Sequence, residues 1–273
     1  MFYFLKFVFF TAIAIYAAGI AMLYIMQRQL IYHPQRSVLS PSQYGLEGFG
    51  EYMVKTSDHE SIQLWYHPAQ PGFPTVIYFH GNAGNIGDRV LIFSNLSKRG
   101  FGVLAVSYRG YGKSTGSPSE AGLYNDARAA MAFALQQNHI PVGKIILYGE
   151  SLGTGVAVQM ATEYHVAALV LQAPYTSVAA RAAELYYYAP VNWMIKDSFN
   201  SLSKITKVKS PLLLFHGEND QVIPIAHAKI LFAAAPEPKK AEFFPGLGHN
   251  NFDTSLISEH VLDFCRSYNL APK

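Results

Sequence analysis

Residues 144–158 of the chain read KIILYGESLGTGVAV, in which a serine between two glycines follows an apolar run. The run from Lys144 to Tyr148 indicates a buried strand, and the small and apolar residues after Gly153 favour a helix packed closely on it. We expect glycine to be required at positions 149 and 153, because the backbones pass too close there for a Cβ. Ser151 would stand on this sharp turn as an exposed nucleophile, beside a helix N-terminus that favours negative charge.

Strand-like and helix-like segments alternate along most of the chain. Two alternating stretches, at residues 51–56 and 61–67, flank a turn and predict an antiparallel hairpin. The apolar runs that follow lie at residues 75–79, 102–107, 144–148, 167–172, 211–215 and 241–244. Helical patterns lie between and after them, at residues 86–98, 119–138, 152–164, 224–235 and 253–268. This alternation predicts an α/β fold, with a mostly parallel sheet flanked by helices.

Residues 174–210 interrupt the alternation, and we call them the lid segment. They are too many for a tight connection and are rich in aromatic side chains. We expect a short helical lid over the strand ends, because such lids exclude water and bind the remote part of a substrate. The candidate substrate-binding residues are Tyr186, Tyr187, Trp193 and Met194. The alternative is that these side chains pack the lid helices onto the core.

The N-terminus predicts a membrane anchor. Residues 7–26 contain no charged side chain, and about 20 residues at roughly 1.5 Å each match the core of a bilayer. We therefore expect residues 1–30 to form a single-pass N-terminal transmembrane anchor and residues 31–273 to form the globular domain. A cleaved signal peptide is an alternative, because Ala17–Gly19 offer a small-residue cleavage site, and a buried core helix is another. Positive charge is nearly balanced on the two sides, so the orientation stays open.

The composition narrows the function classes. Of 273 residues, 50% are hydrophobic and 14% are charged, which predicts a large folded core. The net charge is only +3, and no long run of lysine or arginine is present to follow a phosphate backbone. Nucleic acid is therefore not an expected partner. The single cysteine, Cys265, excludes an intrachain disulfide and is expected to be a buried filler.

A serine nucleophile needs a base within hydrogen-bonding reach and an acid that orients the base. His249 lies in the sequence FPGLGHN after the last predicted strand, where two glycines let the imidazole reach Ser151. Asp220 is the candidate acid, at the end of the sequence LFHGEND, and Glu218 is the second choice. The chain order of serine, acid and histidine matches one known arrangement of this triad.

Two backbone N–H groups are candidates for an oxyanion hole. One belongs to Leu152, directly after the nucleophile, and the other to Asn82, in the loop FHGNAG after an earlier strand. His80 in the same loop is expected to brace it rather than to act in catalysis. No metal or organic cofactor is required for this chemistry.

These motifs resemble those of the alpha/beta-hydrolase superfamily over essentially everything after about residue 45. The matching pieces are HGN at residues 80–82, YRGYGKS at 108–114, GESLG at 149–153, HGEND at 216–220 and GH at 248–249. Within the superfamily the chain is similar to short-lid, membrane-anchored abhydrolases related to monoacylglycerol lipases and protein depalmitoylases. The sequence QLIYHP at residues 29–34 also resembles that group. Unlike the cytosolic eukaryotic depalmitoylases, the chain has a hydrophobic anchor in place of an N-terminal cysteine cluster.

The resemblance implies Ser151 as nucleophile, His249 as base and Asp220 as acid. It also implies the N–H groups of Asn82 and Leu152 as oxyanion donors. We therefore expect a serine hydrolase that cleaves carboxylic esters or thioesters of lipophilic acyl substrates at a membrane. The alternatives are a serine peptidase of the same fold and a non-catalytic, membrane-anchored interaction protein.

Overall fold

The computed structural model describes residues 1–273 and contains one eight-stranded sheet. In chain order its strands are β1 (Gly50–Lys55), β2 (Ser61–His67), β3 (Thr75–Phe79), β4 (Gly102–Ser107), β5 (Ile145–Glu150), β6 (Ala168–Gln172), β7 (Leu212–Gly217) and β8 (Lys239–Phe244). They lie in the order β8-β7-β6-β5-β3-β4-β2-β1. Strands β3 to β8 are parallel, and β2 pairs antiparallel with β4 and with β1. The predicted mostly parallel sheet is confirmed.

Nine α-helices accompany the sheet. They are α1 (Phe2–Ile31), α2 (Val90–Lys98), α3 (Glu120–Ala132), α4 (Leu152–Glu163), α5 (Val178–Leu185), α6 (Val191–Met194), α7 (Leu202–Ile205), α8 (Ile225–Ala234) and α9 (Thr254–Ser267). The helix predicted at residues 86–98 is divided, because a 3₁₀ turn at Ile86–Arg89 precedes α2. The pattern predicted at residues 119–138 contains α3 and a π-helical turn at Phe133–Gln137. The lid segment contains α5, α6 and α7.

The sheet is buried on both faces because the side chains of each strand alternate. In β5, Ile145 and Leu147 pack into one core with α3, α4 and α8. Ile146 and Tyr148 point the other way, into a second core with α2 and α9. A continuous apolar run is therefore what a central parallel strand requires. The parallel strands all end at one edge, where the loops after β3, β5, β7 and β8 meet.

Helix α1 lies at the surface, and the C-terminal end of the helix contacts the rest of the protein. It has 30 residues, none of them buried, and is long and apolar enough to cross a membrane by length and composition. Directly after it, His33–Pro34 pairs in parallel with Ala83–Gly84. The end of α1 is thus tied to the loop that follows β3.

Candidate active site

Ser151 occupies the tight turn between β5 and α4. Its φ of 50° and ψ of −116° are unusual for a residue with a side chain and hold the hydroxyl away from the strand. A Cβ on Gly149 would lie 2.6 Å from the Gly153 carbonyl oxygen, and a Cβ on Gly153 would overlap the carbonyl of Phe79. The two glycines are needed for close approach of the backbones, as the sequence indicated.

The structure brings Ser151, His249 and Asp220 together from the loops after β5, β8 and β7. The His249 Nε2 atom lies 2.9 Å from Ser151 Oγ, and its Nδ1 atom lies 2.6 Å from Asp220 Oδ2. Both ring nitrogens of His249 therefore have a hydrogen-bonding partner. With the proton on Nδ1, that N–H donates to the Asp220 carboxylate, and Nε2 accepts from the Ser151 hydroxyl. The chain of three groups can move a proton from the serine to the imidazole.

Asp220 is a fixed, ionised acceptor. Its side chain is inaccessible to solvent, and its Oδ1 accepts the backbone N–H groups of Val222 and Ile223, each at 2.8 Å. Burial acts to raise the pKa of Asp220, but the hydrogen bonds from His249 and from the Ile223 N–H outweigh it and hold the pKa below its usual value. Glu218, the second candidate acid, is exposed.

The two predicted oxyanion donors line the same cleft as Ser151. Leu152 is the first residue of α4, so its N–H has no intrahelical partner. Asn82 is held by three hydrogen bonds: its backbone carbonyl accepts from Tyr111 Oη at 2.6 Å and from the His33 N–H at 2.9 Å, and its side-chain Nδ2 donates to the Ile31 carbonyl at 2.9 Å. The loop after β3 is therefore rigidly placed beside the nucleophile.

His80 is buried behind this loop. Its Nδ1 atom lies 2.7 Å from the Gly81 carbonyl, and the Tyr108 hydroxyl donates to the His80 carbonyl at 3.2 Å. Burial, with the nearby charge of Arg89, lowers the pKa of His80 to about 3. The imidazole is thus neutral at ordinary pH and packs against the loop, away from Ser151.

A partly buried ion pair beside Ser151 was not foreseen from the sequence. Arg89 donates to both carboxylate oxygens of Glu150, at 3.1 and 2.9 Å, and to the carbonyls of Ala83 and Asn85. The Tyr78 hydroxyl donates to Glu150 at 2.7 Å. Burial acts to raise the pKa of Glu150, but Arg89 holds it below its usual value. The pair connects the serine turn to the loop after β3. An acidic residue directly before the serine was the only signal available.

An apolar cleft of about 280 Å³ opens at Ser151. It is bounded by the end of α1, the loop after β3, the start of α4 and the lid segment. Its lining residues are Leu30, Ile31, Asn82, Ser151, Leu152, Tyr175, Val178, Arg181, Ala182, Leu185, Tyr186, Val222 and Ile223. Ten of these thirteen are hydrophobic, so the cleft suits an apolar group bound next to the serine.

The four predicted substrate-binding residues separate into two groups. Tyr186 lines the cleft at Ser151, and Met194 lines a smaller groove that adjoins it. Tyr187 and Trp193 line neither cavity. They point into solvent, with 86% and 94% of each residue exposed. The walls that the sequence did not indicate include Leu30 and Ile31, from the opposite end of the chain.

The fold corresponds to a known protein family. Residues 74–194 match the family model described as alpha/beta hydrolase fold. The strand order and the serine turn between β5 and α4 agree with this match.

Similar proteins occur in bacteria and in fungi. The chain is 36% identical over 253 residues to the uncharacterized protein Rv2307c of Mycobacterium tuberculosis, covering 92% of this chain and 89% of that protein. It is 32% identical over 262 residues to the protein bem46 of Schizosaccharomyces pombe, covering 90% and 87%. The chain therefore belongs to the alpha/beta-hydrolase family, in a group of relatives that includes bem46.

Solved structures show the same fold. An esterase of Pyrococcus furiosus, Pf2001, superposes with a TM-score of 0.67 at 20% identity, covering 87% of this chain and 98% of that one. An acetyl xylan esterase of Paenibacillus sp. R4 also has a TM-score of 0.67, at 19% identity, with 93% of each chain covered. These structures show that the chain has the fold of the alpha/beta hydrolases.

Proposed function

We propose that the protein is a serine hydrolase that cleaves carboxylic ester or thioester bonds of lipophilic acyl substrates. The observation that carries the proposal is the hydrogen-bonded chain of Ser151, His249 and Asp220 at the mouth of an apolar cleft. A structural role alone has no need for a strained serine, an imidazole hydrogen-bonded to its hydroxyl and a buried carboxylate behind both.

In the first half of the reaction, Ser151 Oγ attacks the acyl carbonyl carbon while His249 Nε2 takes the hydroxyl proton. Asp220 stabilises the imidazolium that forms, through the proton on Nδ1. The N–H groups of Leu152 and Asn82 bind the oxygen that becomes negative, and each such donor typically contributes about 10²- to 10³-fold in rate. His249 then gives its proton to the departing alkoxide or thiolate, leaving the acyl group on Ser151.

In the second half, water replaces the leaving group. His249 removes a proton from the water as its oxygen attacks the acyl carbonyl, and it returns that proton to Ser151 Oγ when the carboxylic acid leaves. The serine is regenerated, and no cofactor takes part.

The cleft favours esters over peptides. Arg181 is the only charged residue among those that line it, and its guanidinium is occupied by the Val222 and Gln221 carbonyls and by Glu184. A peptidase that binds a substrate amine needs an acidic group in this position. Hydrolysis of an aminoacyl anilide faster than of a matched ester would favour the peptidase alternative.

The test of the proposal is the Ser151→Ala variant. We expect it to lose turnover of p-nitrophenyl acyl esters and labelling by a fluorophosphonate probe, because both need the Ser151 oxygen. The matched control is Ser203→Ala, since Ser203 is exposed on the lid segment and far from the imidazole. Labelling of the Ser151→Ala variant, or a wild-type protein that reacts with no probe and only binds a partner, would contradict the proposal.

We also propose that α1 anchors the enzyme in a membrane. The support is its length, its lack of buried residues and its apolar composition. The full-length protein should stay in the membrane pellet after extraction with alkaline carbonate. Its intact mass should include the N-terminal residues, whereas a cleaved signal peptide would leave a shorter, extractable protein.

A further inference from the structure

We propose that α1 is a wall of the substrate site as well as an anchor, and that the acyl chain lies in the groove between α1 and the lid segment. The groove's role depends on the proposed function, because the chain that it holds is the acyl group of the ester cleaved at Ser151. The substrate class is accordingly a long-chain acyl ester or thioester drawn from a lipid surface.

The groove continues the cleft at Ser151. It has a volume of about 80 Å³ and is lined by nine hydrophobic residues and Gln27. The cleft and the groove share Leu30, Ile31, Ala182 and Tyr186. A chain attached to a carbonyl at the serine therefore has one apolar path onward, between the last turns of α1 and the lid helices.

The polar contacts of α1 keep the groove in place. Arg28 Nε donates to Asp197 at 2.8 Å, and Gln27 exchanges hydrogen bonds with the Lys196 N–H at 2.7 Å and the Met194 carbonyl at 3.2 Å. Gln27 itself lines the groove, together with Leu23, Leu30 and Ile31 of the same helix. These bonds therefore fix the C-terminal end of α1 against the lid segment at the groove.

The length of α1 agrees with this placement. Its 30 residues extend about 45 Å at roughly 1.5 Å each, whereas the hydrocarbon core of a bilayer is about 30 Å thick. About 15 Å of helix, or roughly ten residues, is left over. The four α1 residues that line the groove, Leu23, Gln27, Leu30 and Ile31, all lie within the last ten residues of the helix.

The exposed surface of the lid segment indicates where the groove opens. Leu185, Tyr187, Tyr188 and Trp193 are all at least half exposed, and the Tyr188 carbonyl accepts a hydrogen bond from the Tyr16 hydroxyl of α1 at 2.7 Å. Large apolar and aromatic side chains exposed together are typical of a surface that meets a membrane interface. The mouth of the groove therefore faces the acyl chains of the lipid layer.

The decisive comparison uses p-nitrophenyl palmitate and p-nitrophenyl butyrate with the full-length protein in detergent micelles. Ala189 lines the groove but not the cleft, so Ala189→Trp should block only the far end of a long chain. Each methylene excluded costs roughly fourfold in binding. We expect the ratio of kcat/KM for palmitate over butyrate to fall at least about tenfold. The matched control is Asn192→Trp, because Asn192 is exposed and lines neither cavity.

The same ratio tests the contribution of α1. Leu23→Trp fills the groove from the helix side, and Met22→Trp is its control because Met22 is 60% exposed and absent from the groove. We expect Leu23→Trp to lower the ratio as Ala189→Trp does, with the Met22 variant equal to wild type. A ratio within about twofold of wild type in both groove variants would overturn the proposal and leave the proposed function intact.

A second measurement needs no turnover. The Ser151→Ala protein in phosphatidylcholine vesicles is photolysed with a palmitoyl ester that carries a diazirine at the end of its chain. We expect label in the peptide that contains α6, and loss of that label when Ala189→Trp is added. An α6 peptide without label, or label that Ala189→Trp does not reduce, rejects the groove. Label in α6 of the variant, combined with a wild-type protein that hydrolyses no ester, rejects the proposed function and leaves the groove in place.

Discussion

At the scale of single residues, the candidate site places a fully buried carboxylate within a few ångströms of partly exposed groups. The side chain of Asp220 is inaccessible to solvent, whereas the His249 side chain is 11% exposed and Ser151 is 9% exposed. The buried carboxylate accepts three hydrogen bonds, from the N–H groups of Val222 and Ile223 and from His249, so its charge is fixed in place. Preorganised charge of this kind avoids the cost of reorienting solvent during the reaction.

We expect Asp220→Asn to reduce kcat by about 10⁴-fold. The amide would donate a hydrogen bond to Nδ1 and leave the proton on Nε2, so that His249 could no longer accept from Ser151. The measurement is the steady-state hydrolysis of a p-nitrophenyl ester, with circular dichroism to verify the fold. Glu218→Gln is the control, since Glu218 is exposed. A large loss in the control with little loss in Asp220→Asn would reverse the assignment of the acid.

At the scale of secondary-structure elements, the site depends on how closely α4 packs on the sheet. Gly153 in the first turn of α4 lies against the backbone of β3 at Phe79, and no side chain fits between them. This contact sets the distance from the nucleophile to the loop that carries Asn82. The second glycine of the motif is therefore a packing residue, and its effect on chemistry is indirect.

Gly153→Ala should destabilise the protein by about 3 kcal/mol, because the new methyl group forces α4 away from β3. For a chain of this size that corresponds to a Tm lower by roughly 6–12 °C. Gly143→Ala is a matched control, as a Cβ at Gly143 meets nothing within 4 Å. Differential scanning fluorimetry of the two variants gives the comparison, and equal Tm values for them would show that the helix tolerates the methyl group.

At the scale of the whole molecule, α1 and the lid segment form one unit although they are far apart in the chain. Arg28 reaches Asp197, whose side chain is only 3% exposed and which also accepts the N–H of Glu120 at 3.0 Å. A buried carboxylate between α1, the lid segment and the start of α3 links α1 to the rest of the protein. The lid segment therefore takes its position partly from the N-terminal helix.

Replacing Arg28 with leucine should loosen this unit. Arg28→Leu removes a charge-assisted hydrogen bond from a buried carboxylate, at a cost of about 2 kcal/mol. We expect faster amide hydrogen exchange in α6 and no change in β5, because the loss is local to the lid segment. Gln29→Leu, one residue further along the exposed side of α1, is the control. Exchange in α6 that stays at the wild-type rate would mean that the lid segment is held without Arg28.

Much of the fold followed from local pattern. The strands and helices were foreseen because period-two alternation and apolar runs report burial directly. The departures were local, such as the 3₁₀ turn at Ile86–Arg89, where Asn85 caps the turn and Asp88 completes a capping box. Ser151, Asp220 and His249 were expected to meet because parallel strands end at one edge, and the structure places His249 within hydrogen-bonding distance of the other two.

What sequence alone determined here was the sheet, its serine turn and the set of loops at one edge, since each depends on residues close together in the chain. The tertiary structure decided which side chains surround the serine. It paired Arg89 with Glu150, placed Leu30 and Ile31 in the cleft, and left Tyr187 and Trp193 exposed. These contacts join segments separated by tens to hundreds of positions, and no spacing within the chain encodes them, because they depend on how finished elements pack.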